Sequence, residues 1–424
     1  MIDADFTTRR IGLLATLAGS TPRTGAAMRD LQTRVDAAVA ASEGRIVWVG
    51  PDAELDRAVT LTSDATVLDA GGAVVVPGLV DPHTHLVFAG DRDDELRRRL
   101  AGASYREIAA SGGGIVRSVS ATRAASVEEL AAGVEGRLDE MLLCGTTTAE
   151  VKSDYGLETA AEIRSLEAIQ LAASAHPVTV VPTFLGAHEV PLDYRDRRGD
   201  YVDLVVDEMI PAVAETGLAE FADVFCEEGV FTVEESRRIL LASREHGMKL
   251  RIHADELVWT GGAELAGELG VRSADQLGFV SAAGMDALAG VSCVATLLPA
   301  ASFYLRLGHY APARALIDAG VPVALASDVN PGGGLSPSLP FAMAVGCFTM
   351  GLALEEALAA VTVNAAFSLD RQDEIGTIEV GKKADLVLLR SSRLLDLVRV
   401  GVGAVRTVVK GGRTVVRDGQ RVED

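Results

Sequence analysis

Pro77-Gly-Leu-Val-Asp-Pro-His-Thr-His85 closes the apolar run 73–76 and contains two of the chain's 7 histidines. The run reads as a β-strand with His83 and His85 two apart at its end. Side chains alternate across a strand, so residues i and i+2 share one face. Two imidazoles side by side at a strand terminus can hold one transition metal. Two loop histidines near a turn are the plainer reading of such a triplet. The apolar strand, the Pro-Gly inside the stretch and further ligand candidates downstream favour the metal. On that reading, most of the chain builds a barrel that brings those candidates to this point.

Working outward, residues 1–76 hold short β-like runs, among them 45–49 and 67–69, separated by Gly and polar turns. The far end behaves alike, with runs at 384–389, 405–410 and 414–417 and a Gly411-Gly412 turn. The two ends are therefore expected to form one small β-sandwich domain (1–76 plus 380–424) around a middle unit, 77–379. In the middle, strands are expected at 79–83, 146–152, 178–185, 222–227, 249–253, 274–280, 292–298 and 321–327. Helical patterns such as 160–175, 233–246 and 312–319 lie between them. Strands alternating with helices read as an α/β fold, a parallel (β/α)8 TIM-like barrel, and periodicity alone also fits a doubly wound open sheet.

The 424 residues suffice for one large domain or a large and a small one. Lys+Arg 39 against Asp+Glu 60 leave a net charge of −21, which argues against nucleic acid or an anionic membrane as partner. Cys144, Cys226, Cys293 and Cys347 form no CxxC pair and read as reduced core residues of a cytoplasmic protein. The acidic N-terminus does not read as a signal peptide, and no apolar run approaches about 18 residues.

Barrel chemistry gathers at the C-terminal ends of the strands. Read in order, those ends offer His83 and His85; Glu150 to Tyr155; His188 and Glu189; Cys226 and Glu227; His253, Asp255 and Glu256; Asp275 and Gln276; Pro299; and Asp328, Asn330 and Gly332. Four of the 7 histidines fall there. His176, His246 and His309 lie elsewhere and are expected at the surface or at helix ends.

The HTH triplet after a Pro-Gly strand, His253, and Asp328 closing the eighth strand resemble the amidohydrolase superfamily of metal-dependent hydrolases. The stretches FAGDRDDEL, SYREIAASGGGIV, EVKSDYGL, TFLGAHEVP, VFCEEGVF, IHADEL and SDVNPGG resemble, more narrowly, the imidazolonepropionase family of histidine degradation. That resemblance spans about residues 77 to 340, and the flanks match the family's small β-domain. It implies hydrolytic opening of 4-imidazolone-5-propanoate to N-formimidoyl-L-glutamate.

The chemistry of the residues agrees. A ring amide or amidine is a poor electrophile, and a metal activates water and polarises the attacked carbonyl. His83, His85, His253 and Asp328 supply three nitrogens and one oxygen and leave a position open. Zinc and iron both suit that set. The fourth strand offers Cys226 and Glu227 where binuclear relatives carry a carboxylated lysine, so one metal is expected. Asp328 can accept a proton from water, and Glu256, three residues after His253, can deliver one to a ring nitrogen. Duller readings are a satisfied buried histidine for His253, a turn opener for Asp328 and a solvated charge for Glu256.

The substrate carries a carboxylate, which favours an arginine fork, and the resemblance places that group at Arg92. It implies further that Tyr105, Tyr155 and His188 contact the substrate, with Glu256 beside them, and that Asn330, Gly332 and Gly333 hold the product end. Arg92 also has Asp91, Asp93, Asp94 and Glu95 nearby as ion-pair partners, and Tyr105 also fits a packed helix start capped by Ser104. The Gly112–Gly114 run fits no nucleotide loop and reads as a lid.

Two positions depart from the family. Gln276 stands on the sixth strand where the family has a histidine thought to orient the attacking water or the attacked carbonyl. A glutamine donates hydrogen bonds but carries no proton at neutral pH. Gly333 stands where the family commonly has Ser or Thr. The expected catalytic set is Glu256, Asp328, His188 and Gln276. Three readings follow: a working hydrolase of this type that tolerates Gln276, an amidohydrolase for another small cyclic amide or amidine, or a metal- and ligand-binding protein without turnover. A homodimer is the default assembly.

Overall fold

The computed structural model describes residues 1–19, 21–103, 107 and 113–422. Its centre is an eight-stranded sheet in which every pairing is parallel. Five strands precede it: β1 (Ile2–Ala15), β2 (Thr33–Ser42), β3 (Arg45–Pro51), β4 (Val59–Asp69) and β5 (Val74–Pro77). The barrel strands are β6 (Leu79–Asp81), β7 (Thr146–Lys152), β8 (Thr179–Ala187), β9 (Phe221–Cys226), β10 (Lys249–Ala254), β11 (Ser273–Gln276), β12 (Val294–Leu297) and β13 (Val323–Leu325). They neighbour one another in chain order from β6 to β13, which selects the barrel over the doubly wound sheet. The ends meet beyond β6 and β13, where Asp328 N donates to His83 O (3.2 Å) and His85 N to Val329 O (2.9 Å). Ser327 N donates to Asp81 Oδ1 at the same seam.

The chain alternates faces along each strand, and the barrel interior is layered accordingly. At the bottom Val80, Val181, Phe221, Val294 and Ala324 pack on Ala365, Ala366 and Leu369 at the helix Val363–Ser368. One step up lie Glu150, Lys152, Asp223, Arg251 and Asp275, all fully or almost fully buried. The histidines sit on top. Outward-facing residues such as Val151, Val224 and Cys226 join the core beneath the surrounding helices.

Both chain ends form one nine-stranded mixed sheet with β14 (Leu386–Leu389), β15 (Val405–Lys410), β16 (Arg413–Arg417) and β17 (Gln420–Arg421). It has its own core, including Phe6, Ile11, Leu14, Val39, Val75, Leu386 and Val409. The run 73–76 belongs to this sheet, because β5 pairs with β1 and β14. Gly78 carries the chain from it into β6, and a Cβ there would overlap Thr147. β6 ends at Asp81, so His83 and His85 stand on the loop after the strand and not within it. β11 is also shorter than expected and ends at Gln276, where positive φ at Gln276 (78°) and Leu277 (60°) turns the chain away. Among the described residues no helix is long and apolar enough to cross a membrane.

Candidate active site

Nitrogens of His83, His85 and His253 lie within 4.8 Å of one another, all three side chains being buried. His83 Nε2 is 3.1 Å from His85 Nε2. Asp328 Oδ1 stands 3.3 Å from His85 Nε2 and 3.8 Å from His83 Nε2. Each imidazole turns its other nitrogen to a carboxylate: His83 Nδ1 to Asp275 (2.6 Å), His85 Nδ1 to Asp154, and His253 Nδ1 to Asp223 (3.0 Å). The hydrogen bonds of His83 and His85 assign their protons to Nδ1 and leave their Nε2 lone pairs facing inward. Lone pairs 3.1 Å apart repel, and Asp328 Oδ1 accepts no hydrogen bond in its buried position. A cation among the four groups relieves both, and three imidazoles with one carboxylate suit a divalent metal with an open position.

The charged layer below fixes this geometry. Glu150 accepts from Thr84 N, the residue between the two histidines, and from Lys152 Nζ. Lys152 Nζ also donates to Asp223 Oδ2 (2.8 Å). Arg251 donates to Asp275 (3.0 Å) and to Pro82 O (2.7 Å). Burial keeps His83 and His85 far below the usual imidazole range and hence neutral, as metal ligation requires. At His253 burial works against protonation, but Asp223 outweighs it and raises the imidazole. Asp223 is itself held well below the carboxylate range, burial being overcome by His253 and Lys152.

One cavity of about 140 Å³ opens onto the cluster. Arg92, Tyr155, His188, Glu256, Gln276, Asp328, Asn330, Gly332 and Gly333 all line it, which brings together every expected pocket residue except Tyr105. Tyr105, Ser104 and Gly112 lie outside the described residues. Gly114 (φ 82°) starts the helix Ile115–Ala124, and its N–H donates to Glu95. Arg92 is paired with Glu95, at 2.7 Å and 2.9 Å to one carboxylate oxygen, while its Nη1 abuts Gly332. His188 stacks on the His85 ring at 5.2 Å, and burial with nearby His253 pushes it down to about 3, so it acts as a neutral imidazole. Burial, and then Asp328, pushes Glu256 up to about 8; burial pushes Asp328 up to about 7. Glu256 is thus a protonated acid at neutral pH.

Some expected residues serve the scaffold. The Asn330 carboxamide accepts from Gly332 N (2.8 Å) and Gly333 N (2.5 Å) and donates to Asp328 O (2.8 Å). It shapes the loop after β13, and the two glycine N–H groups are engaged there. Glu227 accepts from Glu256 N and Leu257 N and so anchors the acid's own loop. Asp255 (φ 51°) accepts from Thr260, Gly261, Gly262 and Ala263 at the start of the next helix.

The residues that sequence reasoning missed are Glu150, Lys152, Asp154, Asp223, Arg251 and Asp275, none of which was assigned a role. Alternation carried the signal: 150/152, 251/253 and 273/275 are polar at i and i+2 with an apolar residue between them. His309 belongs with them. The residue is half-buried, and its Nε2 is buried beside Gly278, near the Glu256 carbonyl. It comes from the segment following the helix Pro299–Leu305, beyond the strand end where barrel chemistry was sought.

Residues 74–415 match the amidohydrolase family, and the chain belongs to it. It is a metal-dependent hydrolase by family and by site. The full-length relatives narrow this. An imidazolonepropionase from Symbiobacterium thermophilum is 51% identical over 411 residues, 96% of each chain. One from Alkaliphilus metalliredigens is 46% identical over 418 residues, 98% of this chain and 99% of the relative. Among solved structures, an adenosine deaminase from Xanthomonas campestris with bound zinc shares the fold, with a TM-score of 0.73 at 20% identity over 100% of this chain and 95% of that one.

Proposed function

We propose that this chain hydrolyses 4-imidazolone-5-propanoate to N-formimidoyl-L-glutamate in histidine degradation. The observation that carries the reading is the single cavity in which Arg92, Tyr155 and His188 face the same space as Glu256 and Asp328. Similarity to imidazolonepropionases over almost the whole chain supports the substrate.

His83, His85, His253 and Asp328 would hold one zinc or iron, which supplies Lewis acidity and an activated water. Asp328, raised toward neutrality by burial, accepts the proton of the attacking water. Glu256, protonated below about pH 8, delivers a proton to the ring nitrogen as the carbon–nitrogen bond breaks. Neutral His188, beside Tyr155, hydrogen-bonds the polar edge of the ring. Arg92 receives the propionate, exchanging part of its pairing with Glu95 for the ligand's carboxylate. Gln276 contributes a hydrogen bond where the family has a histidine. Four unpaired cysteines support a cytoplasmic setting.

The test is direct. Protein loaded with zinc or with iron is mixed with imidazolone propanoate, and loss of the imidazolone absorbance is followed with formation of formimidoylglutamate. Stoichiometric conversion is expected. Absence of product with metal bound would sink the assignment and, because of Gln276, turn attention to other small cyclic amides and amidines.

A further inference from the structure

His309 lies 33 residues beyond Gln276 in the chain, yet the fold seats both at one small cavity. That cavity, about 10 Å³, has room for one water molecule. Glu256, Gln276, Gly278, Ser302 and His309 are among its lining residues. Glu256 and Gln276 line the substrate pocket as well, so the cavity sits directly behind the pocket wall. Gly278 makes the approach possible. A Cβ built there would stand 2.6 Å from Glu256 O and 3.2 Å from His309 Nε2.

The His309 ring is held in place from two sides. Its Nδ1 lies 3.2 Å from Leu307 O, which makes Nδ1 the donor, and its face meets Phe279 at 4.3 Å between ring centroids. Nε2 is then a lone-pair acceptor, buried and without a hydrogen-bond partner among the described residues. A buried acceptor without a partner is unfavourable, and a polar cavity of one-water size beside it offers the remedy. Gln276, Glu256 and Ser302 line the cavity with side chains able to complete such a contact, and of these Gln276 and Glu256 also line the substrate pocket.

We infer that His309 is a positioning residue for the hydrolytic site. Its Nε2, directly or through one water, accepts a hydrogen bond from the Gln276–Glu256 wall and fixes how those two side chains present themselves to the substrate. The chain thereby carries an imidazole behind the pocket wall, with Gln276 interposed, instead of one on the sixth strand. This inference deepens the function proposed above and rests on it for its kinetic arm.

Two measurements test it. In the kinetic arm, zinc-loaded wild type, His309→Gln, Gln276→His and the double variant are compared on imidazolone propanoate. His309→Gln is expected to lower kcat about tenfold or more, with KM little changed, and Gln276→His is expected to restore much of that loss in the double variant. A kcat equal to wild type in His309→Gln, or a loss that Gln276→His leaves untouched, would overturn the inference; the second outcome would mark His309 as mere packing against Phe279. The other arm needs no turnover. Imidazole nitrogens of the zinc-loaded protein are observed by NMR, and the His309 resonances are assigned by their absence in His309→Gln. Glu256→Gln should shift His309 while leaving exposed His246 in place, and an unmoved His309 would overturn the proposal. A wild type that fails to turn over imidazolone propanoate overturns the substrate assignment alone, and the NMR arm then decides for His309.

Discussion

Each ligand imidazole leans on its own carboxylate, and that pairing decides which nitrogen is free for metal. Asp154 touches His85 Nδ1, and the same oxygen lies 3.5 Å from His188 Nδ1, so metal affinity is the readout that singles out its effect on His85. At φ 28° the position tolerates Asn. Asp154→Asn is expected to weaken metal affinity about 10–100-fold, measured by competition with a chromophoric chelator; an unchanged affinity would mean that the His85 ring is oriented by packing alone. Glu256 invites a second experiment at the same scale. Its pKa is raised to about 8, first by burial and then by Asp328, so the acid form dominates below that pH. The kcat of the wild type should therefore fall as pH rises through about 8. Glu256→Gln should lose about 10²–10⁴ in kcat and lack that limb while still binding metal. A limb that persists in the variant would belong to another group.

Among the elements, β7 and β9 are tied through Lys152, which bridges Glu150 (2.7 Å) and Asp223 (2.8 Å) with no exposure to water. Lys152→Met preserves bulk but removes the buried ammonium that the two carboxylates share. A loss of about 3–5 kcal/mol is expected, seen as a lower urea midpoint; an unmoved midpoint would show that the acids simply take up protons without penalty. The loop after β13 makes a separate demand. Gly332 lies so close to Arg92 Nη1 that a Cβ would overlap it, and the arginine end can swing aside. Gly332→Ala should fold normally and raise KM about tenfold, the worth of a weakened charge-assisted hydrogen bond, with a smaller effect on kcat. Steady-state kinetics on imidazolone propanoate separate the two, and an unaltered KM would remove Arg92 from carboxylate binding.

For the whole molecule, the barrel closes at the residues proposed to hold the metal. The β6–β13 seam is made by Asp328 N to His83 O and His85 N to Val329 O, so the ligand set and the closure share residues. A metal that binds only the folded state adds about 2.7 kcal/mol at a hundredfold excess over Kd. Chelation should lower Tm, and re-addition of zinc should restore it; a Tm indifferent to metal would mean that the site does not bind it in the folded protein. The strand order of the barrel was legible from the sequence because each βα unit is local, set by an apolar run, a turn and an amphipathic helix within a few tens of residues. His83, His85, His188, His253 and Asp328 were legible for the same reason, since each sits at or just past the C-terminal end of a strand. The partners of those residues were not. Asp275 meets His83 across 192 positions of chain and Asp154 meets His85 across 69, and no periodicity within one element encodes such a pairing. His309 is the clearest case, a residue of no distinction in its own segment whose Nε2 comes to lie, buried, beside Gly278 and the Glu256 backbone only when the barrel closes. Sequence alone thus determined the alternation of elements and the side chains presented at the strand ends. Tertiary structure alone decided which carboxylate backs which imidazole and what lies behind the pocket wall, because those contacts join strands and loops far apart in the chain and depend on the circular order of the closed barrel.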